Sequence, residues 1–160
     1  MNLEWNPLYR SVSAMKFHLL LICVAISMGP LPCSQAGVTE EQMWSAGKLM
    51  RDVCLPKFPK VSEEIADSIR NGNIPNSKDS NCYINCILEM MQSIKKGKFQ
   101  LEATLKQMDL IMPDSYKDEY RKGINLCKDS TVGLKNAPNC DPAHALLSCL
   151  KNNIKVFVFP

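Results

Sequence analysis

The sequence has little excess charge, few aromatic residues and no hydrophobic run long enough to cross a membrane. Its 19 basic and 16 acidic side chains leave a formal net charge of +3, and aromatic residues make up 7%. Nucleic-acid-binding domains usually carry a pronounced basic patch, so this balance argues against a nucleic-acid partner. With 46% hydrophobic and 22% charged residues among 160, the composition fits one ordinary globular domain.

The N-terminal region has the pattern of a secretory signal peptide. An apolar run from Phe17 to Met28 is followed by two prolines and the small-residue triplet Ser34-Gln35-Ala36. The run is shorter than the roughly 20 residues of a membrane span, which disfavours the alternative of a membrane anchor. We therefore expect residues 1–36 to be removed, and residues 37–160 to form one secreted, extracellular domain without stable membrane insertion.

The cysteines that remain after removal of the leader are even in number, and they stand at Cys54, Cys82, Cys86, Cys127, Cys140 and Cys149. In an oxidising compartment this predicts three disulfides, although six cysteines allow about 15 connectivities and spacing alone does not choose among them. Zinc is the alternative interpretation. It is disfavoured because no C-x2-C pair occurs and the expected mature chain has one histidine, His144. We expect no metal and no other cofactor.

Helix signals dominate the first half of the expected domain. Thr39 and Gln42 have the spacing of a capping box, and the apolar stripe that follows predicts a helix of about 15 residues ending at Cys54. A second, brief helix is predicted from Ser62 to the Asn71-Gly72 stop signal.

A third helix is predicted from about Asp79 to Lys96, capped by Ser80 or Asp79 and ended by Gly97. Cys82 and Cys86 lie one turn apart on it, so both sulfurs face the same side. A fourth helix is predicted through Leu101, Leu105 and Met108, and a fifth from Pro113 through Tyr120 to Cys127. Asp141-Pro142 opens the sixth.

The last seven residues, 154–160, are mostly β-branched or aromatic and end in proline. Such a segment needs burial, either as an edge strand or as an extended tail over the core. We favour the tail because no partner strand is visible in the sequence. The predicted fold class is therefore all-α, with six helices and an extended C-terminal tail.

Catalytic signals are missing. The expected mature chain has no Gly-x-Ser-x-Gly nucleophile motif, and His144 is followed by Ala145, so the His-Asp pair of small secreted phospholipases is absent. Six paired cysteines would leave no thiol for covalent catalysis. We predict that the protein is not an enzyme.

The cysteine intervals resemble those of the insect odorant-binding proteins, of the six-cysteine, dipteran-like type. Intervals of 27, 3, 40, 12 and 8 residues separate the six cysteines, and the C-x3-C and C-x8-C spacings are the specific part. The resemblance implies pairing of Cys54 with Cys86, Cys82 with Cys140, and Cys127 with Cys149. It covers the whole expected mature chain. The alternative is a saposin-like or general lipid-interacting secreted protein outside olfaction. Saposin-like proteins are also helical with six cysteines, but they usually cluster cysteines at both chain ends, whereas this chain opens with a single Cys54.

The resemblance also implies an internal apolar cavity that carries odorants, pheromones or related lipids through aqueous fluid to olfactory receptors. We expect the partners to be a small apolar ligand and an odorant receptor, and the protein to be a monomer or weak dimer. Tyr120 is the candidate polar contact with the ligand, and its alternative is a solvated surface ring. Apolar residues at helical spacing are more often plain core than cavity wall. By position relative to the cysteines, the candidate lining is Met43, Met50, Ile87, Met91, Leu105, Met108, Tyr120, Leu147, Leu150, Phe157 and Phe159.

Acid-driven ligand release, proposed for relatives, is disfavoured in this chain. His144 is the one expected mature side chain with an ordinary pKa of about 6.5, and it falls near the start of the sixth helix, away from the tail.

Overall fold

The computed structural model describes residues 37–134 and 137–160, and the predicted leader lies outside the described residues. The described part contains six α-helices, one short 3-10 turn at Leu55–Lys57, and a two-stranded antiparallel hairpin. The helices are α1 Glu40–Cys54, α2 Glu63–Arg70, α3 Lys78–Met90, α4 Leu101–Ile111, α5 Asp114–Leu126 and α6 Asp141–Asn153, and the strands are β1 Ile94–Lys95 and β2 Lys98–Phe99. The all-α prediction is confirmed.

The first two helices begin where the capping signals place them. Thr39 accepts from the backbone N–H of Gln42 at 3.2 Å, and the Gln42 side chain accepts from the N–H of Thr39 at 2.9 Å. Ser62 caps α2 through the N–H of Ile65. After Asn71, Gly72 takes a φ of 84°, which lets the chain leave the helix without the steric cost that a Cβ would bring.

The predicted third helix was wrong at both ends. Ser77 caps it, and α3 stops at Met90 instead of continuing to Lys96. The N–H groups of Gln92 and Ser93 bond back to carbonyls of the last turn, and Gln92 takes a φ of 55°. The backbone therefore turns away from the helix before the lysines, and the residues that follow form a hairpin.

The hairpin explains why Gly97 was mistaken for a helix terminator. Lys96 and Gly97 have φ values of 51° and 69°, the two positive angles required by the tightest hairpin turn. Ile94 pairs with Phe99, and Ile94 is buried. A Lys-Gly pair flanked by apolar residues at hairpin spacing was the signal that the helical interpretation missed.

Proline and cysteine shape the two C-terminal helix starts. Pro113 was predicted in the first turn of α5, but it occupies the capping position, and Asp114 is the first helical residue. Asp141 was expected to cap α6, but the capping position is Cys140, which has a φ of 57°, and Asp141 is the first helical residue. Pro142 then occupies the second position, where its missing N–H leaves no helical bond unmade.

Three disulfides hold the helices together. They join Cys54 to Cys86, Cys82 to Cys140, and Cys127 to Cys149, which are the pairs that the resemblance implies. The two cysteines of α3 thus tie this helix to α1 and to the start of α6, while the third bond ties the end of α5 to α6. Each bond restricts the unfolded chain and typically contributes about 2–4 kcal/mol.

The buried side chains form two apolar clusters. The larger one is centred on α3 and α6 and includes Tyr83, Ile87 and Leu146. The smaller one joins α1 to the facing sides of α4 and α5, with Met43 and Met108 at its centre. The C-terminal tail, residues 154–160, reaches both clusters, because Phe159 packs in the first and Ile154 in the second.

Candidate ligand-binding cavity

An apolar cavity of about 70 Å³ lies between the two clusters. The end of α3, the helices α4, α5 and α6, and the C-terminal tail form its walls. Its lining is mostly aliphatic, methionine and phenylalanine side chains, which offer a ligand dispersion contacts and few hydrogen bonds. The lining residues are Leu88, Met91, Ser93, Thr104, Gln107, Met108, Ile111, Met112, Tyr120, Ile124, Leu146, Leu147, Leu150, Ile154, Phe157, Val158 and Phe159.

The polar groups of two lining residues are occupied by the protein itself. The Thr104 hydroxyl donates to the Gln100 carbonyl one helical turn away, at 2.8 Å. The Tyr120 hydroxyl donates to the carbonyl of Val158 at 3.2 Å and accepts from the N–H of the same residue. The sequence-based expectation assigned the phenol to the ligand, whereas here it binds the tail.

Burial raises the pKa of Tyr120 well above its ordinary value of 10. The bond to the Val158 backbone acts in the opposite direction, and the nearby Glu119 carboxylate adds to the increase. The phenol therefore stays neutral throughout the physiological range and keeps its proton for the tail.

A second cavity of about 40 Å³ lies beside the first, against α1. The two cavities share Met91, Ile111, Met112 and Val158, which form the partition between them. Methionine side chains have three rotatable bonds and a polarizable sulfur, so they repack readily. The partition is therefore the most adaptable part of the wall.

The structure brings most of the predicted lining residues together. Ile87 is fully buried in the larger cluster and lines neither cavity, and Leu105 is half-buried against the smaller cluster. Met43 and Met50 line the second cavity. The predicted residues that line the main cavity are Met91, Met108, Tyr120, Leu147, Leu150, Phe157 and Phe159.

Three lining residues were not predicted from the sequence, although their spacing from predicted lining residues is helical. Ile111 and Met112 follow Met108 at three and four residues, and Ile124 follows Tyr120 at four. Val158 carried no such signal, because its position depends on how the tail folds back.

His144 is half-buried on α6 and is not among the lining residues. The described residues hold no cluster of three or more His, Cys, Asp or Glu side chains suited to a metal ion. Within residues 37–134 and 137–160, no helix has the length and hydrophobicity of a membrane span.

Six helices tied by three interlocked disulfides around an apolar cavity define a class, the small helical carriers of apolar molecules. The comparisons with known proteins agree. The model of the PBP/GOBP family matches residues 36–153. The chain is 89% identical over 146 residues to general odorant-binding protein 19a of Drosophila melanogaster, covering 91% of this chain and 100% of that protein.

A second relative, general odorant-binding protein 72 of Anopheles gambiae, is 40% identical over 123 residues, which are 77% of this chain and 99% of the relative. Odorant binding protein 4 of Chrysopa pallens is similar in structure, with a TM-score of 0.66, 36% identity, and coverage of 77% of this chain and 99% of that one. Odorant binding protein 5 of Apis mellifera has a TM-score of 0.68, 26% identity, and coverage of 78% and 99%.

The chain belongs to the PBP/GOBP family, the insect odorant-binding proteins, which are secreted carriers of small hydrophobic ligands. The carrier role predicted from the cysteine pattern fits this membership, and the saposin-like alternative is not favoured.

Proposed function

We propose that residues 1–36 are removed on secretion and that the domain 37–160 takes apolar ligands into the main cavity, carrying them through extracellular fluid towards an odorant receptor. The observation that carries this proposal is the cavity itself, whose lining is mostly apolar and in which the hydroxyl groups of Thr104 and Tyr120 already bond within the protein. Nothing in this arrangement offers an activated nucleophile or an acid–base pair, so we propose transport without catalysis.

The volume of the cavity indicates that its wall has to move when a ligand binds. An apolar cavity of roughly 150 Å³ holds a benzene molecule, whereas this one offers about 70 Å³. A larger ligand therefore has to move part of the wall. We infer that the methionine side chains of the partition move first, because they repack readily, and that their displacement joins the main cavity to the second one. We expect a lining of this kind to accept apolar ligands of several shapes.

The test uses the full chain, expressed in an insect-cell secretory host and purified from the medium. Mass spectrometry then shows whether the product begins at Gly37. We expect a neutral apolar fluorescent probe to bind at one saturable site and to be displaced by terpenes, esters and fatty alcohols. A folded protein that takes up none of them contradicts the proposal.

A matched pair of substitutions locates the site. Leu150→Phe adds volume at a half-buried residue that lines the cavity, so probe affinity should fall about tenfold or more. Leu49→Phe makes the same change at a side chain that is 67% exposed, and it should leave affinity unchanged. Equal loss in both variants would place the probe elsewhere.

A further inference from the structure

A groove lies outside the cavity, on the surface beside the tail. It is open to solvent, and its lining residues are Trp44, Asp67, Arg70, Asn71, Lys151, Lys155, Val156 and Phe157. We refer to it as the basic groove. Phe157 lines both the basic groove and the main cavity, so this one side chain lies between the two spaces.

The basic groove has an excess of positive charge. Among the described residues, none of the ion pairs includes Arg70, Lys151 or Lys155. The lining carboxylate, Asp67, pairs with Arg51 at 2.6 Å, and Arg51 also pairs with Glu63. Glu119 lies close by and accepts the backbone N–H of Lys155. Three cations thus line the groove together with one carboxylate, Asp67, so positive charge exceeds negative charge among its lining residues.

Two of these cations are held in place by packing. The Arg70 guanidinium lies 4.4 Å from the centroid of the Trp44 ring. The Lys151 ammonium lies 5.9 Å from the Phe157 centroid, and its carbon chain rests on Gly72, where a Cβ would come within 2.2 Å of Lys151 Cε. Because these side chains are partly ordered already, a bound anion would restrict them less than it would restrict free lysines.

We propose that the basic groove binds the head group of an amphiphilic anion, such as a fatty acid carboxylate, whose hydrocarbon chain passes Phe157 into the main cavity. The inference rests on the proposed function, because the chain needs that cavity. Lys151 and Arg70 attract the head group, and Trp44 and Phe157 cover the first carbons. The protein then distinguishes acids from alcohols of the same chain length, a selectivity that the apolar cavity alone does not provide.

The experiment compares dodecanoate with dodecanol, both below their aggregation limits, as competitors of the neutral probe in protein purified from the medium. Exposed charge pairs each contribute a modest factor, so the wild-type protein should prefer the carboxylate about fivefold at low salt, and less at high salt. Residues 37–160 contain one tryptophan, Trp44, so the fluorescence of the secreted domain reports on the groove. Its emission should change with the carboxylate and not with the alcohol.

Lys151→Gln and Arg70→Gln should each reduce the ratio of carboxylate to alcohol affinity about twofold or more, and the double variant should bring it close to one. Lys95→Gln, an exposed charge on the hairpin, is the matched control and should keep the wild-type ratio. Using the ratio separates the head-group effect from any general loss of binding or folding.

Equal affinity for the two ligands in the wild-type protein would overturn the inference and leave the proposed function standing. Failure to bind either ligand would contradict both the inference and the proposed function. Vesicles of phosphatidylserine and of phosphatidylcholine test the other source of the same chemistry, an anionic lipid surface. Sedimentation with the anionic vesicles and no preference among monomeric ligands would also overturn the inference, because the groove would then contact a membrane.

Discussion

Tyr120 and Val158 bond to each other in both directions, the phenol donating to the carbonyl and accepting from the N–H of the same residue. The bond joins the middle of α5 to the tail, 38 positions further along the chain. It fixes Val158 at the partition between the two cavities. One hydroxyl group therefore connects the tail to the helical wall of the cavity.

Replacing Tyr120 with phenylalanine should loosen the tail and leave the helices intact. The loss of these bonds should lower the free energy of unfolding by about 1–2 kcal/mol, because the Val158 backbone groups lose their partner. Ligand should dissociate faster, and the Val158 amide should exchange hydrogen faster. Tyr116→Phe removes an exposed bond to Glu40 and serves as the control, and it should leave the free energy of unfolding and the exchange of the Val158 amide unchanged. Similar effects of both substitutions would refute a special role for Tyr120.

The same substitution at two helical glycines should have opposite effects. A Cβ at Gly123 would lie 2.5 Å from Ile154 Cγ2, so Gly123→Ala should displace the start of the tail and cost about 1–3 kcal/mol. At Gly47 the nearest atom is Pro160 Cα at 3.5 Å, an ordinary contact. Gly47→Ala should therefore stabilise α1 by up to about 1 kcal/mol. Urea denaturation measures both, and stabilisation by Gly123→Ala would show that the tail is not packed there.

Alkaline pH should destabilise the fold through its buried phenols. Burial raises the pKa of Tyr83 from 10 to about 12, and its hydroxyl has no hydrogen-bond partner among the described residues. Between these two values the unfolded chain has released the proton and the folded chain has not, so stability falls as pH rises. The stabilisation is complete below about pH 10. Tyrosinate absorbance should rise late in the wild-type protein, together with unfolding, and Tyr83→Phe should reduce the step. Titration of every tyrosine near pH 10 in folded protein would contradict the prediction.

The disulfides should differ in their contribution to stability according to the length of chain they enclose. Cys82–Cys140 spans 58 positions and Cys127–Cys149 spans 22. A disulfide that closes a longer loop restricts the unfolded chain more. Removing Cys82–Cys140 by paired Cys→Ala substitutions should therefore lower the free energy of unfolding by about 0.9 kcal/mol more than removing Cys127–Cys149. Chemical denaturation of the two double variants tests this order, and a larger loss from the shorter loop would point to native-state packing around Cys127, which is buried.

The sequence allowed the six helices to be predicted because their signals are local. Thr39 and Ser62 form hydrogen bonds within three residues of themselves, and Pro113 and Pro142 act on their own helix. The hairpin at Lys96-Gly97 was missed because a glycine after lysines also suits a helix end, and tertiary contacts of Ile94 decide between the two.

The cavity was predicted only in part because it depends on distant contacts. Met108 and Leu147 belong to helices whose inward faces follow from periodicity. Tyr120 was assigned to a ligand because the sequence does not show that Val158 returns to it. Ile87 has the spacing expected of a lining residue, but it lies in the core. One face of α3 packs in the core and another meets the cavity, and residue spacing alone does not show which face is which.

The tail begins after the last cross-linked cysteine, Cys149, and lies outside every loop that the disulfides close. Nevertheless, Ile154, Phe157, Val158 and Phe159 supply one wall of the cavity. Selectivity can therefore change through substitutions within residues 154–160 while the cross-linked scaffold stays the same. Exchanging this segment between relatives would replace one wall of the cavity and leave the disulfides in place, and a purification tag fused after Pro160 would be attached to that wall.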